Sequence, residues 1–152
     1  MVIKIVNAGQ AGVERAALDV AINNDIAAGG WCPKGRRAED GPLDEKYPLV
    51  EGETPSPTKV IEQNVRDSDG TLLLGWGEMQ GATLKVVAIG ARLKKPIFYA
   101  DLQKKPKVDE AENWARKFNT KVLHVSGSKT SEVAGAYAEA HAFLMQLLVG
   151  DG

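Results

Sequence analysis

One cysteine, two histidines and a net charge of -1 mark what this 152-residue chain does without. A lone Cys32 excludes an internal disulfide and fits a reducing, cytoplasmic setting. Lys and Arg number 19 against 20 Asp and Glu, so no global field draws the chain to nucleic acid or an acidic membrane. Any anion selectivity must come from local placement. No apolar run nears the ~20 residues of a membrane span. The start, residues 1–6, is too short for a signal peptide and passes straight into strand pattern. His124 and His141 lack Cys or His partners at ligand spacing, so a zinc site is not indicated. No Ser/His/Asp order or glutamate pair stands out either. What is present is 43% hydrophobic and 26% charged, enough for one domain over residues 1–152 with a sizeable core.

Apolar periodicity organises most of that domain. Residues 2–6 read as a buried strand, and Val13, Ala16, Ala17, Val20 and Ala21 recur at helical spacing until Asn23-Asn24-Asp25 and Gly29-Gly30 end the segment. Residues 30–57 hold five of the seven prolines and read as loop with short extended pieces. A connection that long in a compact domain is usually functional or mobile. A short helix follows over 58–67, with Ile61 and Val65 inward. Residues 71–75 form a strand, and 83–93 a helix facing inward through Leu84, Val87, Ala88 and Ala91. Residues 96–100 are a strand, and Ala111, Trp114, Ala115 and Phe118 mark a helix. A strand over 121–125 then leads to a final helix over 130–149. Strands that are apolar throughout and alternate with helices predict an α/β fold. It is a three-layer Rossmann-like domain, with a mainly parallel sheet and helices on both faces. Ligands of such sheets bind beyond the carboxyl ends of the strands.

Three strand-to-helix turns fall on that edge. The first, Asn7-Ala8-Gly9-Gln10-Ala11-Gly12, lets backbone approach closely and opens a helix whose free amides suit a phosphate or oxyanion. It is not the dinucleotide glycine pattern. In the second, residues 75–83, Gly81 and Thr83 stand at a helix start, with Thr83 either an N-cap or a hydroxyl donor to ligand. The third, Ser126-Gly127-Ser128-Lys129-Thr130-Ser131, is either a nest of amides or a turn capped by Thr130 or Ser131. Residues 30–41 add Lys34, Arg36, Arg37, Glu39, Asp40, three glycines and Cys32. Its cations can meet an anion, or Arg36 and Arg37 can pair with Glu39 and Asp40 and only fold the loop. Arg66 is a further candidate cation. Cys32 is either a soft metal ligand or an inert buried thiol.

These same residues carry a resemblance. Residues 7–19, with Gly9, Gln10, Ala11, Gly12 and Arg15, are similar to the Gly-Gly-Gln-Thr-Gly-Val-Asp-Arg-Ala-Ala-Leu-Asp opening of the molybdenum carrier (molybdenum cofactor carrier protein) family. Trp31-Cys32-Pro33-Lys34-Gly35-Arg36-Arg37-Ala38-Glu39-Asp40-Gly41 resembles its second motif almost residue for residue. Asn64-Val65-Arg66-Asp67-Ser68-Asp69 resembles the third, and Gly81-Ala82-Thr83 and His124-Val125-Ser126-Gly127 the later turns. The resemblance implies a fold related to the lonely-guy and DprA proteins. It also implies binding of molybdenum cofactor or molybdate; taken with the turns and the charged loop, the residues expected to hold it are Gly9, Gln10, Ala11, Gly12, Arg15, Lys34, Gly35, Arg36, Arg66, Asp67, Gly81, Thr83, Gly127 and Ser128. A small anionic ligand and a molybdoenzyme acceptor go with it; a homo-oligomer is expected separately, from the alanine-rich final helix.

Two departures stand out. Ala8 and Ala11 replace the family's glycine and threonine. Val86 stands where the hydrolase relatives' Pro-Gly-Gly-x-Gly-Thr-x-x-Glu motif has its glutamate, so N-glycosidic hydrolysis is not expected. The competing expectation is a nucleotide-phosphate binder or phosphoribohydrolase-like enzyme, with Asp67 or Glu78 as acid/base. A third is an interaction module built on the final helix and exposed tryptophans.

Overall fold

The computed structural model describes residues 1–150. Nine strands and five α-helices follow in order. They are β1 (Lys4–Val6), α1 (Val13–Asn23), β2 (Ala27–Gly29), β3 (Trp31–Cys32), β4 (Arg37–Ala38), β5 (Gly41–Pro42), β6 (Val50–Glu51), α2 (Pro57–Arg66), β7 (Gly70–Gly75), α3 (Ala82–Arg92), β8 (Ile97–Asp101), α4 (Asp109–Lys117), β9 (Val122–Gly127) and α5 (Ala136–Leu148).

Five strands build one sheet in the order β2-β1-β9-β7-β8, and every pairing is parallel. The edge strand β2 was not expected; its Ala-Ala-Gly sequence has no β-branched residue to announce it. The central strand β9 is the last in the chain, between β1 and β7. Side chains alternate between the two faces of the sheet. Ile5, Leu72, Leu74, Leu123 and Val125 pack with α1 and α5 in the main core, while Val60, Val65, Leu73, Val86 and Ile89 are buried outside it, with α2 and α3. This is the expected three-layer α/β arrangement.

Three expectations are corrected. α3 buries Thr83, Val86, Ile89 and Gly90, whereas Leu84 is 50% exposed. Its phase is set by the tight turn that precedes it. Gly81 takes a positive φ of 52°, and Thr83 folds back on Gln80. α5 begins at Ala136 rather than at residue 130, because Gly135 is left-handed (φ 80°) and residues 130–134 are engaged elsewhere. The tryptophans are not exposed: each is half-buried, Trp31 donating to Asp67, Trp76 to Glu139, and Trp114 packing between Phe98 and Phe118.

Candidate functional site

The carboxyl ends of β1, β7 and β9 lead into the three polar turns, and the structure joins two of them directly. Val13 N donates to Ser128 O (3.2 Å) and Thr130 N to Ala11 O (3.1 Å), so the first turn is laced to the third. This contact requires glycine at position 12. Its φ is 112°, and a Cβ there would lie 2.6 Å from Ser128 O.

Most of the amides expected to await a ligand are already occupied. Gly9 N donates to Asn7 Oδ1 (2.8 Å) and Gln10 N to Glu14 Oε1 (3.1 Å). In the third turn Ser128 N reaches Leu74 O, and Lys129 N is taken by Glu132 Oε1 (2.8 Å). Glu39 accepts from both Ser131 N and Ser131 Oγ. The third turn is therefore a nest filled by the protein's own carboxylates, and neither Thr130 nor Ser131 caps α5. Thr83 is not an N-cap either; its hydroxyl donates to Gln80 O (2.7 Å), and Gly81 holds the cap position. At the two helix starts, the amides of Ala11 and Gly12 before α1, and of Gly81 and Ala82 before α3, have no protein partner among the described residues.

These two helix starts open on one narrow cleft of about 80 Å³, bordered by Gln10, Ala11, Ala82, Thr83, Ser128 and Lys129. α1 and α3 each run 11 residues, long enough for a full dipole. Lys129 and Glu14 are the charged groups of this lining. Neither was among the residues singled out from sequence. The signal for Glu14 was an acid in the first turn of a helix entered through glycines; for Lys129 it was the lysine inside Ser-Gly-Ser-Lys-Thr. Glu14 is 8% exposed, and burial pushes its carboxyl above the usual range against the pull of Gln10 N, Ser126 Oγ and Lys129.

The charged loop, residues 30–41, does lie over this edge. Gln10 Nε2 donates to Arg37 O, Glu39 grips Ser131, and Arg15 forks onto both oxygens of Asp40 at 3.0 Å. The Arg15 hydrogen bonds hold the Asp40 carboxyl below its ordinary range. Arg15 Nε also donates to Gly9 O, so this cation organises the turn and is not free for a ligand. Arg36 is likewise consumed, donating to the carbonyls of Leu49, Asp44 and Tyr47. Neither arginine of the loop pairs with Glu39 or Asp40: Arg36 folds the loop through carbonyls, and Arg37 contributes its own carbonyl. Arg36→Ala should loosen residues 42–50 and cost about 1.5–3 kcal/mol, the scale of hydrogen bonds to a charged donor. Faster proteolytic nicking of that segment would register it, and an unchanged rate would refute it.

Lys34 is exposed, and its side chain makes no hydrogen bond or ion pair among the described residues. Gly35 N donates to Glu51. Gly127 sits against Leu74 in the β7–β9 pair. Arg66 and Asp67 are not brought to the cleft. They precede β7 at its amino end, where Asp67 accepts from the Trp31 indole (2.9 Å) and Asp69 accepts from Lys121 N and Val122 N. Cys32 is fully buried in β3, and burial pushes its thiol up, the inert alternative of the two considered. No cluster of three or more His, Cys, Asp or Glu able to hold a metal occurs among the described residues.

Comparison with known proteins bears on the family of this chain. No protein of curated function matches the chain. A crystal structure at 1.45 Å from Syntrophus aciditrophicus SB, of a protein named "Putative molybdenum carrier protein", is 35% identical over 97% of this chain and 95% of its own, with a TM-score of 0.91. That similarity bears out the resemblance carried by the sequence motifs. Residues 5–148 match the circularly permutated YpsA SLOG family, and with nearly the whole domain aligned the chain belongs to that family.

Proposed function

We propose that this protein carries a molybdenum species, either the phosphate-bearing molybdenum cofactor or molybdate, with its anionic group held between the starts of α1 and α3. The observation that carries the proposal is one cleft lined by Ala11 before α1, Ala82 at the start of α3, and Lys129, with the Ala11 and Ala82 amides unpaired among the described residues. Helix N-termini and a point cation together suit a phosphate or oxyanion. The similarity to a protein named as a molybdenum carrier supplies the metal. In this reading the loop over residues 30–41 is the wall of the site, with Lys34 free to approach a bound anion. Arg15 and Arg36 shape that wall. Arg66 and Asp67 lie outside the site, and release to a molybdoenzyme acceptor would complete the carrier role.

Thermal shift with molybdate, inorganic phosphate and phenyl phosphate tests the site. A ligand at 100 times its dissociation constant adds about 2.7 kcal/mol to stability. Lys129→Ala should weaken binding roughly tenfold, the equivalent of one charge-assisted hydrogen bond. No shift with any of the three, and no molybdenum in protein purified from a cofactor-making host, would end this reading.

A nucleotide-phosphate binder is the second reading. It is favoured by a polar hollow beside the cleft, sharing Thr83 and Ser128 with it and lined by Trp76, Glu78 and Tyr99. A base or other flat ring could extend there from a phosphate in the cleft. A stabilisation by nucleoside monophosphates that inorganic phosphate does not reproduce would favour it.

A further inference from the structure

We infer that Glu14 makes the cleft select an oxyanion that can keep a proton, so that a phosphate monoester is preferred over molybdate. The inference deepens the proposed function and rests on it. Glu14 is the carboxylate of the cleft lining, at the second position of α1, beside the free amides of Ala11 and Gly12. It is fixed in place: Oε1 accepts from Gln10 N (3.1 Å) and Oε2 from Ser126 Oγ (2.9 Å). The Ala8 amide also pulls on this carboxylate, which leaves it one acceptor site for a ligand. The groups around it are few. The turn before α1 presents the amides of Ala8 and Gln10, β9 presents Ser126, α2 and α3 present Ile61, Ala82, Thr83 and Val86, and the β9–α5 turn presents Lys129. Lys129 is thus the charged group that faces Glu14.

An anion drawn to the free amides enters a narrow space already holding this carboxylate. Two bare anions there repel, and poor solvation makes the repulsion strong. One shared proton converts it into a short O–H···O⁻ bond. A phosphate monoester, with its second pKa near 6, can hold that proton close to neutral pH. Molybdate near neutral pH is a dianion that holds none, so its complex depends on Glu14 alone for the proton. Burial pushes the Glu14 carboxyl up, which favours the protonated form this role needs. Molybdate binding should therefore fade as pH rises, and sooner than phosphate-monoester binding.

The test is calorimetric titration of the full chain with molybdate and with phenyl phosphate at pH 6 and pH 8, in two buffers of different ionisation enthalpy. Expected are proton uptake with molybdate, tighter binding of phenyl phosphate at pH 8, and a gap of roughly tenfold or more, the equivalent of one pKa unit. Glu14→Gln keeps an oxygen for Gln10 N and offers an N–H to the anion. It should close the gap and remove the pH dependence of molybdate binding. Equal affinities at pH 8 in the native protein, or no proton uptake with molybdate, overturn the inference while leaving an anion site in place. Absence of binding by either anion overturns the anion site itself, and this inference with it. The proton-uptake measurement needs only the native chain, so a variant that folds poorly does not decide the matter.

Discussion

Gly127→Ala should unfold the protein more readily than any other single methyl addition at its polar turns, by roughly 3 kcal/mol or more. Gly127 pairs with Leu74 across the β7–β9 ladder, and a Cβ on it would overlap the Leu74 carbonyl oxygen and meet Val13 Cγ2 at 2.9 Å. The obstacle is backbone, which cannot rotate aside like the end of a side chain. β9 lies in the middle of the sheet, so a shift there disturbs pairing on both sides. Ser128 N, donating to Leu74 O at 3.3 Å, and the link from Ser128 O to Val13 N would move with it. For a chain of this size, 3 kcal/mol corresponds to roughly 6–12 °C in the unfolding midpoint. Chemical denaturation should show a lower midpoint at an unchanged slope. A change below 1 kcal/mol would mean that the β7–β9 contact yields more easily than its geometry implies.

Acid should weaken the fold through His124. Its imidazole is 1% exposed at the centre of the sheet, with Nδ1 3.0 Å from Thr71 Oγ1 on the paired strand. Burial disfavours the imidazolium and brings its pKa down to about 4 from an ordinary 6.5. In the unfolded chain the ring charges below 6.5; in the folded chain it stays neutral until about pH 4. His124 thus contributes nothing to pH dependence above 6.5, and stability falls as pH drops through that window, by about 3 kcal/mol in all. The raised Glu14 carboxyl acts in the opposite direction and offsets part of the loss. The ring resonances of His124 should not titrate between pH 8 and 5. Titration with a midpoint near 6.5 would refute the prediction.

The long apolar strands and the parallel order of layers were legible because β7 and β9 carry their burial in continuous runs. β2 was not, since Ala27-Ala28-Gly29 becomes a strand only through its pairing with β1. The inward face of α3 was misread for a related reason. Leu84 and Val87 have the right spacing, but the preceding turn rotates the helix so that Val86 and Ile89 point inward. At the site, glycine positions and the loop's place over the sheet edge followed from pattern. What each charge does there did not. Arg36 is spent on three carbonyls contributed by residues 8 to 13 positions away, and Arg15 on Asp40, 25 positions away. A cation's availability depends on partners that local sequence cannot reveal. Glu14 and Lys129 were overlooked because one looked like an ordinary first-turn acid and the other like a turn lysine.

The last strand of the chain sits in the middle of its sheet, and this bears on when during synthesis the protein can begin to work. β1 and β7 are not paired with each other; each pairs with β9, whose residues are added after those of every other strand of this sheet. On a ribosome, the emerging segments can form α1 with β1 and β2, and separately β7 with β8, but nothing holds these halves in register. Lys129 and Ser128 arrive at the same moment as the strand that locks them in place. Under the proposed carrier role, cargo capture would be deferred until β9 has paired with β1 and β7, since the cleft takes Ser128 and Lys129 from the turn that follows it.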